Sequence, residues 1–243
     1  MSGAPSLKAG AGAPDAREAI LGTIRRSLAQ GGIQSAGGPE VDRRLNVHAA
    51  NLVPARAKLD PARQVDLFAQ EAERVNATVA RAPRLKDVPG LVARYLAERN
   101  LPATLRTAPD PLVRAVPWSS QPLLSLSEGP ARGDDPVSVT SAFAAVAETG
   151  TLVLLSGPES PTTLNILPAT HIVVLPAAHI VGTYEEVWAK LRATWAGEGL
   201  MPRAVNWITG PSRTADIEQT LLLGAHGPQR LHIILVENDE EDA

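Results

Sequence analysis

The sequence predicts an α/β fold, an open and mostly parallel sheet packed between helices, with a helical appendage before it. Three observations predict it. Apolar runs of strand length recur at 143–147, 151–155, 171–175 and 231–236, and a nearly continuous run such as His171 to Leu175 is the pattern of a strand covered on both faces. Stretches with helical periodicity lie before and between them, at 15–30, 61–80, 88–100 and 183–195. The chain has 243 residues, 44% of them hydrophobic, with a net charge of -3, which suits one large domain with an appendage.

In chain order, residues 1–14 are rich in Gly, Ala, Pro and Ser and are expected to be disordered. Residues 15–60 form the appendage: Asp15 caps a helix to Gln30 with Ile20, Leu21, Ile24 and Leu28 as its apolar stripe, and 33–60 reads as a long connection or an arm that embraces another subunit. Asp60-Pro61 opens a second helix through an N-cap and an N1 proline, running to about Ala80. A third covers Val88 to Asn100. Thr104 to Thr107 is a short strand, Leu123 to Ser125 a weaker one, and 129–136 a charged loop. Thr162 to Leu167 is a short helical segment closed by Pro168. Thr183-Tyr184-Glu185-Glu186 has capping-box spacing, and the helix that follows places Tyr184, Val187, Trp188, Leu191 and Trp195 on a core-facing stripe. The last unit is read as a strand (Val205 to Thr209), a tight loop (Gly210 to Thr214), a helix (Ala215 to Leu223) and a buried strand (Leu231 to Val236). The α/β domain so defined spans 61–236, and the acidic tail at 237–243 is expected to be solvated.

Composition excludes several functions. The absence of cysteine removes disulfides, thiolate nucleophiles, and iron–sulfur clusters or zinc held by thiolates of this chain. No run of about 18 apolar residues is present to span a bilayer, and the N-terminus lacks the charged-then-apolar order of a secretory signal, so the expectation is a cytoplasmic protein. Residues 1–106 carry 16 Lys/Arg against 10 Asp/Glu, the rest 7 against 16. The basic residues are interspersed with acids on helical stretches, and with 3% aromatics nucleic-acid binding is not expected. The five histidines show neither HxH nor HxxxH spacing, so no metal site is expected; His232 reads as a core residue, and His226 as a helix C-terminal one.

Two stretches carry candidate chemistry. In the first, two apolar runs turn through Glu148-Thr149-Gly150, with Gly150 suited to a positive φ or a close approach. If Glu148 points inward, a partner or a ligand must compensate its burial; otherwise it is a solvated turn residue. In the second, Gly210-Pro211-Ser212-Arg213-Thr214 lies at the carboxyl end of a strand, where ligands bind in open α/β sheets. A helix starting there would favour an anion at its N-terminus, with Ser212, Arg213 and Thr214 adding hydrogen bonds and a charge. Alternatively Ser212 or Thr214 is only the N-cap, with Asp216 complementing the dipole.

With AFAAVAETGTLVLLSGP, then LNILPATHIVVLPAAHIV, then ITGPSRTADIEQTLLLGAHGPQRLHIILV, the chain resembles the LUD-domain family, specifically the lactate utilisation protein C group, over about residues 135–236. The resemblance implies a three-layer α/β/α open sheet like that of ribose-5-phosphate isomerase, glucosamine-6-phosphate deaminase and the CoA transferases. It also implies a role in oxidising L-lactate to pyruvate beside iron–sulfur partner proteins, with no redox cofactor in this chain. Carried onto this sequence, the family pattern places Glu148, Thr149, Gly150 and Thr151 in one loop and Gly210, Ser212, Arg213, Thr214, Asp216 and Glu218 in the other. The two loops are expected to meet at the carboxyl edge of one sheet. There Arg213 and the amides after Gly210 would hold a carboxylate or phosphate, and Glu148 would act as a polar or acid/base group. Two alternatives stand beside this: a transferase in which Glu148 is the nucleophile toward acyl-CoA, and a purely structural subunit, in either case with a homo-oligomer open.

Overall fold

The computed structural model describes residues 16–30, 39–195, 201–217, 220–224 and 226–238. The chain divides into two units, Met1–Asn51 and Leu52–Ala243. The first contains α1 (Ala16–Gln30) and α2 (Pro39–Val47). The α2 helix corrects the expectation of an irregular arm. It is short and polar, so it has no apolar period to read, yet Pro39 sets its first turn and the Asn46 side-chain Nδ2 donates to the Asp42 carbonyl at 2.7 Å. Residues 1–14 lie outside the described residues.

The second unit begins with α3 (Pro61–Arg74), whose N-cap Asp60 accepts from the Arg63 amide. The expected extension to Ala80 is wrong: the chain breaks at Asn76, with φ 69°, a conformation that asparagine tolerates after a helix. It then enters β1 (Thr78–Arg84). There follow α4 (Val88–Glu98), β2 (Thr104–Thr107), α5 (Pro111–Ala115), β3 (Ser125–Glu128) and β4 (Val137–Ser141). Next come β5 (Ala144–Val146), β6 (Thr151–Leu155), β7 (Thr170–Pro176), β8 (Ile180–Val181) and α6 (Tyr184–Thr194). The chain closes with β9 (Val205–Thr209), β10 (Arg213–Ile217), β11 (Thr220–Leu223) and β12 (Arg230–Asn238).

Six strands form a wholly parallel sheet in the order β1-β12-β7-β4-β2-β3. Of its central strands, β7 and β12 read as apolar runs because both faces are buried. Ile172 and Val174 of β7 with Ile234 and Val236 of β12 pack against Val88, Val92 and Leu96 of α4 and Val113 of α5. Val173, Leu175, Ile233 and Leu235 face the other way, onto Phe68 and Ala72 of α3 and onto Ala145, Leu152 and Leu154. The α/β class with a mostly parallel sheet between helices is therefore the observed one.

Those last three residues belong to a second sheet. Its order is β8-β5-β6-β9, with β5/β6 and β6/β9 antiparallel. The α6 helix covers its outer side through Val187 and Leu191, with Trp188 and Trp195 partly buried beside them as the core stripe required. Sequence reading had merged this sheet with the parallel one. Residues 215–223 are also corrected: in place of a helix, β10 and β11 pair antiparallel, with Arg213 opposite Leu223, Thr214 opposite Leu222 and Ile217 opposite Thr220. The β-branched Thr214, Ile217 and Thr220 suit a strand at these places. Glu237 and Asn238 of the expected tail continue β12, and 239–243 lie outside the described residues. Among the described residues, no helix is long and apolar enough to cross a membrane.

Candidate functional site

The Glu148 turn joins β5 to β6, and its backbone is anchored on β8: the Ala147 amide donates to the Val181 carbonyl at 2.8 Å and the Glu148 amide to the Gly182 carbonyl at 3.2 Å. Glu148 is 7% exposed, so it does point inward, and its Oε2 is fully buried with no hydrogen-bond partner among the described residues. A buried carboxylate oxygen left unpaired is costly, which marks the residue as unusual for a turn.

Gly150 has φ 64°, as expected, and the structure shows what closes in on it: a β-carbon there would lie 2.3 Å from the Ala72 amide nitrogen of α3. The close approach is by a helix backbone. Thr149 and Thr151 are equally engaged. Their hydroxyls lie 2.7 Å apart, each is 2.9 Å from the Tyr184 hydroxyl of α6, and Thr151 is 2.8 Å from the Thr209 hydroxyl of β9. Four hydroxyls thus tie the turn, α6 and β9 together.

The second loop converges on the same end of α3. Gly210 has φ 74°, and a β-carbon there would lie 2.3 Å from the Val75 carbonyl oxygen. The Arg213 guanidinium donates to that same carbonyl, a cation at a helix C-terminus where the dipole favours it. The two loops do meet, but at the end of the small sheet and the end of α3. The carboxyl edge of the parallel sheet is not where they lie. Because β10 replaces the expected helix, the loop also has no helix N-terminus to offer an anion, and His226 follows a strand. Thr214 and Asp216 fall within β10, and Glu218 lies outside the described residues.

Arg213 rims a cleft of about 550 Å³. It is lined by β9, the loop from Gly210 to Arg213, His226 to Pro228, and Asn165, Ile166, His171 and Leu231. Glu148 is not among its lining residues. Asn165 and His171 are 2% and 0% exposed, and both carry unpaired polar atoms: Nδ2 and Oδ1 of Asn165, Nδ1 of His171. His171 Nε2 is 2.8 Å from the Thr140 hydroxyl. Burial pushes its imidazole down to about 3, so it is neutral near pH 7. Sequence reading missed both residues; the only signal for them was a polar residue at each end of an apolar stretch, Asn165 before Ile166 and His171 before Ile172.

Residues 136–236 match the LUD domain, which covers the second sheet, the cleft and β4, β7 and β12. The cleft and the second sheet therefore lie within the region that matches the LUD domain. Within that region the chain is similar to proteins called "Lactate utilization protein C". It is 35% identical to one from Bacillus licheniformis and 36% to one from Bacillus subtilis, in each case over 42% of this chain and 42% of the relative. A third, from Exiguobacterium, is 40% identical over 49% of this chain and 51% of the relative. The chain thus spans about half the length of these relatives or less. A crystal structure of a DUF162 family protein from Deinococcus radiodurans shares the fold, with a TM-score of 0.55 and 23% identity over 73% of this chain and 99% of that one.

Proposed function

We propose that this chain is a subunit of an L-lactate-oxidising system in which iron–sulfur partner proteins take the two electrons released as lactate becomes pyruvate. The observation that carries the reading is the similarity of the LUD region to lactate utilisation proteins. Cysteine-free composition supports the division of labour, because this chain has no thiolate to hold a cluster. In this reading the chain contributes ligand binding and assembly, with Arg213 the cation that meets an acid. The thioester-exchange alternative needs a carboxylate facing a ligand. Glu148 lies outside the cleft that Arg213 rims, so the lactate reading is preferred.

The test is growth on L-lactate as sole carbon source of a strain lacking the gene, complemented with wild type, Arg213→Ala or Glu148→Gln. Wild type is expected to restore growth, and Arg213→Ala, once shown to be folded, to restore it poorly. Unimpaired growth without the gene overturns the proposal, as does lactate oxidation by the purified chain alone. Full rescue by Glu148→Gln would confine that carboxyl to a structural role.

A further inference from the structure

Three uncharged side chains from separate elements line the same cleft and carry buried polar atoms without a partner among the described residues. Asn165 precedes β7, His171 lies within it, and Asn206, half-buried on β9, has an unpaired Nδ2. Natural cores rarely leave such atoms orphaned, and three around one cavity indicate a ligand that completes them. No carboxylate occurs among the described lining residues. Among the described lining residues the one permanent charge is Arg213, which gives one N–H to the Val75 carbonyl and retains others of its five. Size adds a constraint. At about 550 Å³ the cleft falls in the range of roughly 300–1,000 Å³ of cofactor and metabolite sites, far more than a three-carbon acid fills.

We propose that this cleft binds a phosphorylated small molecule whose neutral end, a heterocyclic base or a polyol, hydrogen-bonds Asn165, Asn206 and His171 while its anion faces Arg213. The buried groups suit a neutral end of either kind. Asn165 offers an adjacent donor and acceptor, which pairs with a base edge or with a hydroxyl. This inference shares the cleft and Arg213 with the lactate reading but does not depend on lactate being a ligand.

The experiment is thermal unfolding of the full chain titrated with adenosine 5′-monophosphate, ribose 5-phosphate and L-lactate. A saturable rise in midpoint is expected with a half-effect below about 1 mM for at least one phosphorylated probe. Response to the nucleotide alone assigns a base to the buried end; equal response to both assigns a sugar phosphate. No response to either phosphorylated probe overturns the proposal, and a response to L-lactate alone overturns it while leaving the proposed function standing. Asn165→Leu, nearly matched in volume, removes two orphaned atoms. It is expected to leave the ligand-free midpoint unchanged or raised while weakening the responding probe at least tenfold. Retained affinity in that variant overturns the inference. Should Asn165→Leu fail to fold, Asn206→Ala carries the same comparison.

Discussion

At the residue scale, Gly150 and Gly210 show how one requirement can be legible while its cause is not. For Gly150 a turn between two apolar runs predicts a positive φ; for Gly210 the pattern predicts only a tight loop after a strand. The sequence cannot say that the approaching group is a helix backbone, because Ala72 and Val75 are more than 70 positions away in the chain. Both glycines press on the last turns of α3. Gly150→Ala must place a β-carbon at 2.3 Å from a backbone nitrogen and also hold a left-handed φ. A loss of more than about 2 kcal/mol in unfolding free energy is expected by denaturant titration. A loss under about 0.5 kcal/mol would mean that α3 does not seat there in solution. Asn165 and His171 mark the opposite limit: an isolated polar residue beside an apolar run looks like an element boundary, and its lack of a partner is a property of the folded surroundings alone.

Elements were legible where local chemistry set their ends. Thr183 and Glu186 form the capping box that the sequence announces: the Thr183 hydroxyl accepts from the Glu186 amide at 3.3 Å, and the Glu186 carboxylate accepts from the Thr183 amide at 2.7 Å. Thr183→Ala is expected to cost about 1 kcal/mol, with Thr183→Ser nearly neutral because serine caps as well. Thermal unfolding of the pair checks this, and equal midpoints for Ala and Ser would show that the box does not hold α6. Where tertiary context decides, the same reasoning fails. The β4 strand was missed because its second face is polar: Ser138 donates to the Leu164 carbonyl at 2.6 Å and Thr140 pairs with His171. An edge position hid β1, since it pairs on one side only and carries Arg81 and Arg84 outward. In residues 215–223, Ala, Gln and three leucines favour a helix locally, and pairing with Arg213 and Thr214 overrides that preference.

For the whole molecule, two histidines built into the parallel sheet link folding to acidity. His171 on β7 is fully buried, and burial alone pushes it down to about 3. On the neighbouring β12, His232 stacks on Tyr95 with ring centroids 3.9 Å apart. Burial pushes it down to about 4; its hydrogen bond to Thr78 offsets part of the effect, and the positive Arg99 adds to it. Both are neutral in the folded chain and titrate near their ordinary 6.5 once unfolded. The unfolded state therefore binds more protons below that value. The stability these groups contribute is fully present above pH 6.5 and is lost as pH falls toward about 4 for His232 and about 3 for His171. Well below 6.5 each contributes a slope of up to about 1.4 kcal/mol per pH unit. Urea unfolding between pH 6.5 and about 5, above most carboxylate titrations, isolates the histidines. Wild type is expected to weaken steadily across that window, and His232→Gln to show roughly half the slope. A flat profile would mean that both imidazoles reach solvent and take up protons in the folded state, which would also open the wall of the cleft that His171 forms.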